Sequence, residues 1–96
     1  MKNDIDAVLE QRGSIYGGYE SGCHLRGNIL ELLEAEYSKN HAGKIMPDID
    51  RQHLWDIVNK LIRLAVSPKH IDSWVDIQGY AKLTETAIRE AEDANL

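Results

Sequence analysis

Residues 50–66, "DRQHLWDIVNKLIRLAV", carry Leu54, Ile57, Val58, Leu61 and Leu64 at positions i, i+3, i+4, i+7 and i+10. Side chains at that spacing share one face of an α-helix. The stripe stops at "SPKH", where Pro68 disfavours helical geometry in the preceding residue. A second helical segment starts at once, predicted from about His70 or Ile71 to Ala91, with Trp74, Ile77, Ala81, Leu83, Ala87 and Ile88 available for burial. Two helices joined by so short a link fold back on each other as an antiparallel hairpin.

The rest of the chain is helical too. A first helix is predicted from Asp4 to Gln11, capped by Asn3, with Ile5, Val8 and Leu9 on one face and Gly13 closing it. A second is predicted from Tyr19 or Ser21 to Ser38, carrying Leu25, Ile29, Leu32, Leu33 and Ala35. "SKNHAGKIMPDID" then reads as a loop, with Asp50 placed to cap the third helix. The charged tail "EAEDANL" is expected to fray. The expected fold is all-α: a compact bundle of about four helices in a single domain spanning 1–96, ending in the antiparallel hairpin. With no phenylalanine in the chain, its core falls to Leu, Ile, Val and Ala, anchored by Trp55 and Trp74.

Level positions in an antiparallel hairpin have residue numbers that add to a constant, about 136 for a turn centred near residue 68, because both helices rise at the same rate. The polar residues obey this rule. Lys60 is level with Asp76, Asp56 with Tyr80, and Arg63 with Asp72. Each set repeats at helical spacing on its own helix. The pattern predicts a polar seam between the last two helices. It serves either as an ion-pair register for packing or as a site. As a site, Asp72 and Asp76 would offer oxygen ligands to a divalent cation, and Lys60 and Arg63 would hold an anion.

Net charge restricts the partners. At −5 the chain lacks the basic surface that nonspecific nucleic-acid binding requires. A small phosphorylated ligand held by a few local cations, or a basic protein partner, remains compatible with it. The lone Cys23 leaves no intrachain disulfide and fits a reducing compartment. No apolar run is long enough to span a bilayer, and "MKNDIDAVLEQRG" has no signal-peptide core, so the expected location is cytoplasmic, with no membrane partner.

Glu31 and Glu34 lie on one helix face in "ELLEAE", and "DIVNK" follows on the next helix. This spacing is similar to that of the MazG-like all-α nucleotide pyrophosphohydrolases, where ExxE is followed by ExxD. That resemblance implies Mg2+ held by paired carboxylates against a nucleotide. Glu31 and Glu34 match its first half. In the second half Asp56 stands for glutamate and Asn59 for aspartate, which removes a charged ligand and leans the reading away from catalysis.

The stretch "RGSIYGGYESG" is glycine-rich but lacks the lysine of a P-loop, so its glycines read as turns between helices. Together with "NKLIRLAVSPKHIDSWVDIQGYAKL" it resembles a small-protein family of tailed bacteriophages and prophages that has no assigned function. That family shows R-G-x-x-Y-G, then K-x-x-R, then H-x-D-x-x-x-D-x-x-G-Y. The matching positions are Arg12, Gly13, Tyr16 and Gly17, then Lys60, Arg63, His70, Asp72, Asp76, Gly79 and Tyr80. The resemblance implies a phage or prophage origin, in an infected or lysogenic bacterial host.

These observations lead to an expected site of Arg12, Tyr16, Asp56, Lys60, Arg63, Asp72, Asp76 and Tyr80, with Asp72, Asp76, Glu31 and Glu34 as candidates for metal. The expected function is a phage accessory protein that binds a host protein as an anti-defence factor, for example an anti-CRISPR inhibitor. The alternatives are a nucleotide-binding or pyrophosphohydrolase-like protein and a structural homodimer without a ligand.

Overall fold

The computed structural model describes residues 4–95, apart from the side chain of Ser14. Four helices account for most of the chain: α1 (Asp4–Tyr16), α2 (Tyr19–Asn40), α3 (Asp48–Val66) and α4 (Ile71–Ala94). The described residues contain no strand. Asn3, the expected cap of α1, lies outside the described residues.

Several boundaries differ from those expected, each for a physical reason. Helix α1 passes through Gly13 and ends at Tyr16, because the left-handed residue that closes it is Gly17, with φ +86°. The Gly17 amide donates to the Gly13 carbonyl at 2.9 Å, a one-bond helical C-terminus. A Cβ at Gly17 would stand 2.8 Å from a methyl group of Val66, so the position also marks a close approach of the α1 end to the end of α3. Helix α3 begins at Asp48, which places Asp48 and Asp50 in its first turn, where carboxylates favour the helix dipole. Helix α2 runs on to Asn40, and α4 keeps its last turns to Ala94. Pairing of Glu85 with Lys82 and Arg89 supports the later part of α4.

Helix α3 is the centre of the molecule. Helices α2 and α4 each pack along it and barely touch each other, and α1 packs on it as well. Arg51 reaches Glu34 of α2, and Lys60 reaches Asp76 of α4. Nine residues at 100° each place Arg51 and Lys60 on opposite sides of α3. The three long helices therefore lie side by side with α3 in the middle, α1 packs on α3 as well, and α3 and α4 form the antiparallel hairpin. The molecule measures 59 × 27 × 24 Å.

Such an arrangement has little interior. Leu30, Val58 and Ile62 form the core cluster, with Ile29 packed against it. Trp55 and Trp74, expected as anchors, stand at its edges and remain partly exposed. Trp55 carries the Arg26 guanidinium on its face, and the Trp74 indole donates to the Pro68 carbonyl. Ile5, Val8 and Leu9 of α1 are exposed. No helix among the described residues is long and apolar enough to cross a membrane.

Candidate functional site

The hairpin register places Lys60 beside Asp76 with an Nζ–Oδ2 distance of 2.8 Å. Lys60 is only 8% exposed, so its stem is packed while its ammonium reaches the carboxylate at the rim. The other two level pairs do not form. No hydrogen bond or ion pair joins Asp56 to Tyr80, or Arg63 to Asp72, among the described residues. Asp72 is exposed in the first turn of α4, where a carboxylate suits the positive helix end.

Arg63 is drawn elsewhere because α1 arrives at this level. Its guanidinium lies 4.4 Å from the centre of the Tyr16 ring, and the edge of the same ring meets His70 at 5.4 Å. The hydroxyl of Ser67 donates to the Ile15 carbonyl and ties the end of α1 to the end of α3. His70 in turn contacts the hydroxyl of buried Ser73 at 3.0 Å and starts α4. Helix α1 thus carries Tyr16 onto the hairpin.

The hydrogen bond from Lys60 holds the Asp76 carboxyl below the ordinary 3.8, assisted by the charges of Lys60, Arg63 and His70 and opposed by desolvation. A carboxylate with a depressed folded-state pKa stabilises the fold above its unfolded value and loses that contribution as pH falls through the folded value. The protein should therefore lose stability in acid below about pH 4. In Asp76→Asn this part of the acid loss should be missing, with the stability–pH curves of the two proteins converging at low pH. Urea unfolding across a pH series measures it; parallel curves would contradict the pairing.

The larger feature lies on the far side of Tyr16. Leu9, Arg12, Gly13 and Tyr16 of α1, the Gly17–Gly18 turn, Tyr19, Cys23 and Arg26 of α2, and Asn59, Ile62 and Arg63 of α3 enclose a cleft of about 650 Å3. Among the described residues, three arginines line it and no carboxylate does. Arg26 is fixed on three sides: its face lies 4.4 Å from the Trp55 ring centre, one terminal nitrogen donates to Asn59 Oδ1 at 3.0 Å, and the other approaches Cys23 Sγ at 3.5 Å. Arg63 is fixed on Tyr16. Among the described residues no ion pair joins a carboxylate to Arg12, Arg26 or Arg63, although the chain as a whole is acidic and the charge of Arg63 is felt by Asp76.

The start of α2 also lines the cleft. Helix α2 starts after Gly18 without a side-chain cap, so its first amides meet no acceptor within the helix. Helix α2 lies against α3 at Gly22, where a Cβ would stand in ordinary contact, 3.7 Å from a methyl of Ile62. The glycines of the stretch between α1 and α2 therefore bring backbone and arginine to one place.

The predicted site residues divide accordingly. Arg12, Tyr16 and Arg63 share the cleft, and Lys60 and Asp76 form an ion pair. Asp56 and Asp72 are exposed, and Tyr80 is half-buried between the hairpin helices. Nothing in the chain lies within 4 Å of where a Cβ on Gly79 would stand. Of the metal candidates, Glu34 pairs with Arg51 at 3.3 Å, Asp76 pairs with Lys60, and Glu31 and Asp72 are exposed. Among the described residues no three His, Cys, Asp or Glu side chains come together to hold a metal ion. Arg26 and Asn59 are the cleft residues that sequence reasoning missed as a pair. Their signal was present: Cys23, Arg26, Leu30, Glu34 and Tyr37 recur at steps of three and four on the side of α2 that faces α3.

No protein-family model, curated protein or solved structure matches this chain.

Proposed function

We propose that the protein acts by binding, as a phage or prophage accessory factor, and that the cleft between α1, α2 and α3 receives a phosphorylated small molecule. The observation that carries this reading is the convergence of Arg12, Arg26 and Arg63 on a cleft without a carboxylate, in a chain of net charge −5. Like charges repel unless a counter-charge is expected, and arginine presents a planar fork suited to phosphate oxygens. The cleft falls within the roughly 300–1,000 Å3 typical of small-ligand sites. Arg26 and Arg63 are held in place by aromatic faces before any ligand arrives, which lowers the entropy cost of binding. The uncapped start of α2 points the same way, since such ends attract anions.

Capture rather than turnover is the reading supported. Glu34 is held by Arg51, and no acidic residue lines the cleft to position a metal or activate water. A host protein target, the anti-defence reading, would have to present a protruding acidic or phosphorylated segment to the same arginines.

A thermal-shift panel of pyrophosphate, nucleoside mono-, di- and triphosphates and the matching nucleosides tests the proposal. Phosphorylated compounds should raise Tm, with the effect weakening as salt increases, and the nucleosides should not. Arg12→Ala and Arg63→Ala should each weaken affinity by about 10- to 100-fold, the loss of one charge-assisted contact. If the whole panel leaves Tm unchanged, the small-ligand reading is lost. Retention instead of an acidic protein from host lysate, dependent on Arg63, would replace it with the protein-target reading.

A further inference from the structure

We infer that the face of the helical layer opposite the cationic cleft is covered by a second copy of this chain. Three apolar stripes lie side by side on that face. Helix α3 contributes Leu54, Leu61 and Ala65, a quarter turn from both its neighbours. Helix α2 contributes Leu25, Ile29 and Leu33, and α4 contributes Trp74, Ala81 and Ile88 at exact heptad steps. Leu25, Leu33, Leu61, Trp74 and Ile88 are all exposed in the single chain. A groove of about 510 Å3 runs between α3 and α4 on this side, floored by Ile57, Ala81 and Ile88 and edged by Glu85, Arg89 and Glu92.

Arg63 and the cleft lie on the other side. On α3, Arg63 is two residues beyond Leu61 and so about 200° around the helix. The layer has one cationic, ligand-facing side and one apolar side.

Surface area says how much of the molecule is left uncovered. A monomer of 10.9 kDa normally exposes about 5,600 Å2. This chain exposes 7517 Å2, an excess of roughly 1,900 Å2. Its radius of gyration is 16.7 Å, against about 12.5 Å for a globular chain of this length. The exposed α1 accounts for part of the excess. Even half of it exceeds the ~800 Å2 that each partner contributes to a standard stable interface. A second copy meets the need directly: paired about a two-fold axis near Leu61, two copies bury their apolar sides on each other, and the charged edge of the groove becomes the rim. The two clefts then face outward, open to ligand.

The experiment is mass determination by light scattering and sedimentation equilibrium on the full chain, over a range of concentrations. The expected result is a species of twice the 10.9 kDa chain mass, dissociating on dilution, with a Tm that rises with protein concentration. Leu61→Glu should shift the species to monomer. Leu83→Glu, which alters an exposed leucine on the cleft side of α4, should leave the mass unchanged. If Leu61→Glu does not fold, the concentration dependence of Tm in the unaltered protein still decides. A monomer at every concentration with a constant Tm overturns the inference, as does a monomer that uses Leu61 and Ile88 to bind a different protein. The cleft and its ligand would stand in either case, because those residues lie on the other side.

Discussion

Gly17→Val is expected to destabilise the protein by about 2–5 kcal/mol, from backbone strain and overpacking together. Two separate costs meet at this residue. Its φ of +86° lies in the region that β-branched residues avoid, and any Cβ would stand 2.8 Å from a Val66 methyl. Relief of either conflict moves the end of α1 off the end of α3, where Ser67 bonds to the Ile15 carbonyl and Tyr16 meets Arg63 and His70. A loss of that size in a chain of this length lowers Tm by roughly 10–30 °C. The two costs separate in a double-mutant cycle. Val66→Ala should restore the steric part of the loss in Gly17→Ala and leave the conformational part, so the pair should show favourable coupling. Additive losses with no coupling would mean that the approach of Gly17 to Val66 is not a constraint. Because Arg12 and Tyr16 ride on α1, Gly17→Val should also weaken ligand capture in whatever fraction remains folded.

Leu30→Ala is expected to cost about 2–4 kcal/mol, the usual range for emptying a buried leucine site. Leu30 is 6% exposed and closes the cluster with Val58 and Ile62, the contact by which α2 holds α3. With so few buried side chains, little remains to collapse into the space. Leu32, two residues along the same helix, is 72% exposed, and Leu32→Ala should change stability by less than about 0.5 kcal/mol. Chemical denaturation of the two variants makes the comparison. Similar losses in both would mean that Leu32 is covered, which would relocate the partner surface to the outer edge of α2.

The hairpin was the most legible part of the molecule, for a simple reason. Equal rise on two antiparallel helices ties residue numbers to height, so Lys60 could be matched to Asp76 before any coordinates. The same rule failed for Arg63 and Asp72 because it describes two helices, and at that level a third one arrives with Tyr16. Gly13 and Gly17 show a related limit. Either glycine can close a helix, and what chooses between them is the fit against Val66, a contact 49 residues away in sequence. Arg26 was overlooked because a stripe read for apolar residues steps over a charged one, even when that charge faces the neighbouring helix. The tryptophans were misplaced inward because a bundle was expected to have an interior large enough for them. The bundle's core is small, and both tryptophans lie outside it, Trp55 against the Arg26 guanidinium and Trp74 on the apolar side of α4.

The cleft joins most of these threads, since α1, the glycine turn and the polar side of α3 meet there. Calorimetric titration of a nucleoside diphosphate into the unaltered chain, the Arg12→Ala/Arg63→Ala double variant and Lys82→Ala tests it most directly. The account predicts saturable binding to the unaltered chain and to Lys82→Ala, which removes a cation from α4 away from the cleft, and a loss of about 100-fold or more in the double variant. Equal affinity in all three folded proteins, or no heat from the unaltered chain, would contradict it.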